Sequence, residues 1–136
     1  MAFADSQTDR VIIDSGRGPN PGKVVLAEAC VVGDILGYSS GWKRALATVS
    51  SVIQARVVAL KGGIIGEEVP VSPNPVVGGY TGGTAGGLIY VAEGTANGQV
   101  TDIEPATTND ANTPIGILLS ATTIQFNICR ADSLHA

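Results

Sequence analysis

The chain has 136 residues, enough for one domain with a true core, and a net charge of −4. Its three Lys and five Arg are scattered, which argues against a nucleic-acid surface, and no apolar run is long enough to span a membrane. Charged residues make up 15% and aromatics 4%, while Gly fills 18 positions; this composition favours pleated strands with tight turns over long solvated helices.

Residues 1–22 read as an extended N-terminal arm outside a single β domain over 23–136. Its first ten residues are polar and lack the apolar segment of a secretion signal, pointing to synthesis in a cytoplasm. Val11, Ile12 and Ile13 form a brief apolar sticker, and the Gly and Pro residues from Gly16 to Gly22 then break any regular element. Alone, such an arm gains too little burial to offset its backbone entropy. Against a neighbouring subunit it can dock as an added strand.

Lys23 to Val32 is strand-like, and Gly33-Asp34 turns the chain into Ile35 to Tyr38. Trp42 to Leu60 is ambiguous. Leu46, Val49, Ile53, Val57 and Leu60 sit near helical spacing, but the stretch is rich in β-branched residues and Ser50-Ser51 suits a turn. Strands are the preferred reading, with one short helix as the alternative. Ile64 to Val71 is a further strand, ended by Ser72-Pro73-Asn74-Pro75.

The loop Gly78 to Gly87 holds six glycines but lacks the Gly-Lys-Ser/Thr ending and following helix of a phosphate cradle. Two strand pairs follow, Gly87 to Val100 and Pro114 to Asn127, separated by the polar connector Glu104 to Thr113. The halves echo each other. Gly33 to Gly41 parallels Gly86 to Gly94, and Ala55 to Leu60 parallels Pro114 to Leu119. Two such units could pair into one closed or nearly closed sheet.

Catalytic chemistry is hard to assemble from these residues. The sole histidine, His135, is penultimate, where fraying is the default. No metal-ligand spacing occurs, and Cys30 and Cys129 lie far apart within apolar strand patterns, where buried free thiols are the simpler reading than a disulfide. No catalytic, cofactor or metal residue is expected. Trp42 suits an interface anchor or the cap of a small core.

Gly87 to Ala92, Gly94 to Gly98, Ala106 to Thr113, Ile115 to Leu118 and Ala121 to Asn127 together resemble the head decoration, or cement, proteins of tailed bacteriophages. The likeness covers Lys23 to Asn127. It implies an all-β fold, a small β-barrel or β-tulip, and a homotrimer bound to the major capsid protein on the virion surface. No cofactor, membrane or nucleic acid is involved. The expected contact residues are Arg10, Val11, Ile12, Ile13, Arg17 and Trp42. A tail or fibre module shares these fold features. A carbohydrate-binding β-module would instead draw on Tyr38, Trp42, Tyr80 and Tyr90.

Overall fold

The computed structural model describes residues 3–15, 22–93, 97–108 and 110–128. As the composition implies, the fold is all β, with no helix among the described residues. The strands are β1 (Val11–Asp14), β2 (Lys23–Val25), β3 (Ile35–Tyr38), β4 (Trp42–Arg44), β5 (Val57–Ala59) and β6 (Glu68–Ser72). They continue as β7 (Val76–Gly78), β8 (Leu88–Val91), β9 (Val100–Thr101), β10 (Gly116–Leu118) and β11 (Thr123–Phe126). Instead of one closed barrel they form two antiparallel sheets, ordered β1-β7-β11-β10-β8-β9 and β2-β6-β5-β3-β4.

The echo in the sequence is an echo in topology. β2 to β6 and β7 to β11 repeat one strand order, with β1 added outside β7. Register agrees as well. Ile35 faces Val58 and Leu36 faces Val57 in the first repeat; Leu88 faces Ile117 and Ile89 faces Gly116 in the second. Each repeat enters its second strand through the same turn. Asp34 N–H donates to Val31 O and Gly87 N–H to Thr84 O, while Gly33 at φ 82° and Gly86 at φ 88° hold the left-handed position.

The repeats stack front to back. Val77, Ile89, Leu118, Ile124 and Phe126, on the inner face of the six-stranded sheet, share a core with Ile35 and Val58 from the near face of the five-stranded sheet. The far face of that sheet carries Leu36, Ala59, Val69 and Val71, covered by Leu26 and Cys30 from the β2–β3 connection. The layers therefore run from loop cap to first sheet to second sheet.

One preference holds and one expectation needs correction. Trp42 to Leu60 takes the preferred strand reading and not the helical alternative, because its backbone groups are paired across strands and bridges. Ala45 and Ala47 N–H donate to Ile35 O and Ala92 O, and Leu46 and Ile53 exchange both hydrogen bonds. The segment read as an arm is not detached: β1 pairs with β7, with Val11 opposite Gly78 and Ile12 opposite Val77.

Candidate functional site

The expected contact residues are dispersed by the fold. Arg10 is buried, and all five of its N–H donors are used. Nε and Nη2 donate to the two Asp5 oxygens at 2.8 and 2.7 Å, and Nη1 donates to Asp34 Oδ1. Val32 O and Gly98 O accept the remaining two bonds. Asp34 also accepts from Val31 N–H at 2.9 Å, and Asp5 from Val100 N–H at 3.0 Å. Burial alone would weaken the positive charge, but the hydrogen bonds and charge of Asp5, with the bond to Asp34, outweigh it and hold the guanidinium above its ordinary pKa.

Arg10 is therefore a clamp and not an interface residue. It fastens the N-terminal segment to the entry turn of one repeat and to Gly98–Val100 of the other. Ile12 turns inward and packs against the main core. Arg17 lies outside the described residues. Trp42 is half-buried beside the smaller core, edge-on to Tyr38 with ring centres 5.6 Å apart. Tyr80 and Tyr90 are buried, which withdraws two of the four aromatics a sugar platform would need. Among the expected contacts that lie in the described residues, Val11 and Ile13 alone stand well exposed.

Two apolar surfaces stand out. The first is the turn Ile64-Ile65-Gly66-Glu67 between β5 and β6. Glu67 N–H donates to Ile64 O, Ile64 N–H donates to Glu67 Oε1 at 2.9 Å, and Gly66 sits at φ 90°. Gly66 N–H donates to Leu26 O, so the exposed Val25 of β2 lies at the same end. The turn is closed at both backbone and side chain, yet it holds Ile64 and Ile65 65% and 68% exposed. A loop that fixes two isoleucines in water is a strong pointer to contact.

The second surface is the back of the six-stranded sheet. One row crosses five strands in register: Asp14, Val76, Gln125, Ile117 and Leu88. Val11 shares this face, and Ile13 lies over Gly78, its Cδ1 3.0 Å from where a Cβ would stand. The polar residue mid-row is tied down. Gln125 Nε2 donates to Asn74 O at 3.1 Å and to Phe126 O at 2.8 Å.

Groups with chemical potential are committed to structure. A pocket of about 220 Å³ is lined by Gln7, Glu28, Cys30, Asp34 and Arg44 among others. Burial pushes the Cys30 thiol up to about 11, so it is no nucleophile at neutral pH. Glu28 accepts from both Arg44 N–H and Arg44 Nε at 3.0 Å. Beyond the pocket, Glu93 and Asp110 form a carboxyl pair whose mutual hydrogen bond raises Glu93 and lowers Asp110. Asp110 is anchored by the N–H groups of Val49 and Thr107 at 2.6 and 3.3 Å, which staples two connections together.

Among the described residues, no group of three or more His, Cys, Asp or Glu could hold a metal ion, and no helix is long and apolar enough to cross a membrane. Cys129 and His135 lie outside the described residues, so the pairing of Cys30 with Cys129 does too. Sequence reading missed the Asp5–Arg10–Asp34 clamp, because Asp5 and Arg10 sit in a polar run without periodicity and Asp34 reads as a turn residue after Gly33. It also missed Tyr80, which lies inside the glycine-rich loop yet is fully buried. The exposed isoleucine pair was legible as residues but not as a turn. Compared with known proteins, the chain matches no family model, no curated protein and no solved structure.

Proposed function

We propose that this chain is a non-enzymatic structural protein of a bacteriophage particle, one that binds the outside of the assembled, expanded capsid and stabilises it. The observation that carries the reading is the Ile64–Ile65 turn, an apolar tip closed by its own hydrogen bonds that holds two isoleucines exposed. The likeness of Gly87 to Asn127 to cement proteins supplies the partner, the major capsid protein. The low proportion of charged residues agrees with a scaffold role.

The physical mechanism is linkage. A protein that binds only the expanded lattice stabilises it by about 2.7 kcal/mol per site at a hundredfold excess over Kd. The turn is pre-ordered, so docking Ile64 and Ile65 forfeits little conformational entropy. Co-sedimentation of the purified protein with expanded, undecorated capsids tests this. The wild type should pellet with the particles, and the double substitution Ile64→Asp, Ile65→Asp should remain in the supernatant while still folded. Equal pelleting of both proteins would remove the tip from the reading, and no pelleting of either would remove the capsid.

A further inference from the structure

The two repeats close their seams differently. In the first, the chain just past β2 bridges directly to β4: Leu26 pairs in parallel with Trp42, and Ala27 N–H donates to Trp42 O at 2.9 Å. Val100 of β9 is the counterpart of Trp42, since the two stand opposite Val91 and Tyr38 at matching positions of β8 and β3. Among the described residues, the chain just past β7 makes no such bridge to Val100. Residues 3–5 lie in between. Ala4 and Thr81 exchange both backbone hydrogen bonds, at 2.9 and 3.2 Å, and Asp5 Oδ2 accepts from Val100 N–H at 3.0 Å.

The N-terminal segment therefore fills a groove that the second repeat leaves open, and the groove is shaped for it. A Cβ on Gly79 would collide with Asp9 O, and one on Gly33 would stand 2.6 Å from Arg10 Cδ, so both glycines leave room for the passing chain. Acceptors from both repeats converge on one guanidinium: Asp34 Oδ1, Val32 O and Gly98 O each take a bond from Arg10. The ring of Tyr80 stacks on Phe3 with centres 5.7 Å apart, and the edge of β7 receives β1.

We propose that this groove is a peptide-binding site and that residues 3–14 are its resident ligand, released and rebound as one unit while the repeats stay folded. It takes an extended peptide in which an arginine follows an aspartate by five residues and precedes an inward aliphatic residue by two. Strand addition at the sheet edge supplies affinity, and the side-chain pockets set the sequence that is read. Three observations separate the segment from the body. Both repeats have their five strands without it, β1 being the one strand outside the repeated order. Residues 15–22 join it to β2, a reach of about 26–29 Å when extended, so it can leave while β2 stays paired. The closed state also holds one polar group at a loss. Tyr80 Oη is buried with no hydrogen-bond partner among the described residues, and lifting the segment opens it to water. The inference does not depend on what the chain coats.

Two measurements on the intact chain test it. In native-state hydrogen exchange, the N–H groups of Thr81 and Val100, whose acceptors lie in the segment, should exchange together. They should do so about tenfold or more faster than those of Ile115 and Leu118, whose acceptors, Ile89 O and Gly87 O, lie within the second repeat. Equal rates for the two pairs would overturn the proposal. The second measurement is binding in trans, read by fluorescence anisotropy of a labelled peptide of residues 3–15. On the wild type the peptide competes with its tethered copy at high effective concentration and should bind weakly. Arg10→Met removes the charge pairing of the resident segment, so this variant should bind the peptide about tenfold or more tightly than the wild type does. The same peptide carrying Arg10→Met should bind neither protein. A variant that binds the peptide no better than the wild type, or that binds both peptides alike, would overturn the proposal. Should Arg10→Met fail to fold, the hydrogen-exchange contrast in the wild type decides by itself.

Discussion

Ile35 and Leu88 hold the same position in the two repeats, each opposite an aliphatic residue of the neighbouring strand, Val58 and Ile117 respectively. Ile35 is sealed between the sheets while Leu88 faces out. Their difference follows from layer order alone, since backbone, register and entry turn are shared. One side chain is therefore core and the other surface for reasons that no local pattern encodes.

That relationship has a direct energetic consequence. Ile35→Ala should cost about 2–5 kcal/mol, the range for deleting a buried aliphatic side chain and leaving a cavity. Leu88→Ala should cost well under that in the isolated monomer. Urea unfolding of the two variants checks the contrast, and equal losses would contradict the front-to-back stacking.

Arg10 should be among the most sensitive positions. Arg10→Met leaves Asp5 and Asp34 buried without a counter-charge, a loss of about 3–5 kcal/mol. Arg10→Lys should recover only part, because an ammonium cannot reproduce the two-pronged contact with Asp5 or reach all five acceptors. Chemical denaturation at neutral pH measures both. A loss from Arg10→Met no larger than a surface substitution would show that the N-terminal segment is not locked by this clamp.

At the tip, Gly66→Ala should lower stability by about 1–2 kcal/mol, the cost of a left-handed backbone for a residue with a Cβ. Nothing lies within 4 Å of the added carbon, so the penalty is conformational and not steric. Thermal unfolding reads the loss. If the variant also binds capsids less well than its folded fraction explains, the turn geometry itself contributes to docking.

Glu28 gives a pH signature. Burial would raise its carboxyl, but the backbone and side-chain hydrogen bonds from Arg44 outweigh that and hold it below the usual carboxylate range. A depressed folded-state value means that the stabilisation is present above the unfolded-state pKa and is lost as pH falls through the folded one. Both side chains are about a third exposed (34% each), so solvent screening keeps the effect under about 1 kcal/mol. Glu28→Gln should therefore cost little at neutral pH and flatten this part of the acid-side decline. An unchanged decline in stability below pH 5 would remove Glu28 as a contributor.

Much of the architecture was legible in the residues because turns and strands are local. The Gly33 and Gly86 turns, the β-branched runs and the doubled Ile-containing strands signal an all-β chain with an internal repeat. What was illegible depends on stacking. Val11, Ile12 and Ile13 read as one sticker, yet pairing with β7 turns Ile12 into the core and leaves Val11 outside. Asp5 read as part of a polar run and Arg10 as a contact residue, because their partner, Asp34, is fixed by a turn far along the chain. Ile64 and Ile65 read as the start of a strand; the closure of Gly66 and Glu67 into a turn is what leaves them in water.

Shell attachment is tested most directly by imaging particles assembled with and without this polypeptide. Surface density on the icosahedral lattice that appears only with the protein, together with greater resistance of those particles to heat, is the expected result. Identical surfaces and identical resistance, or density confined to tails, would contradict it.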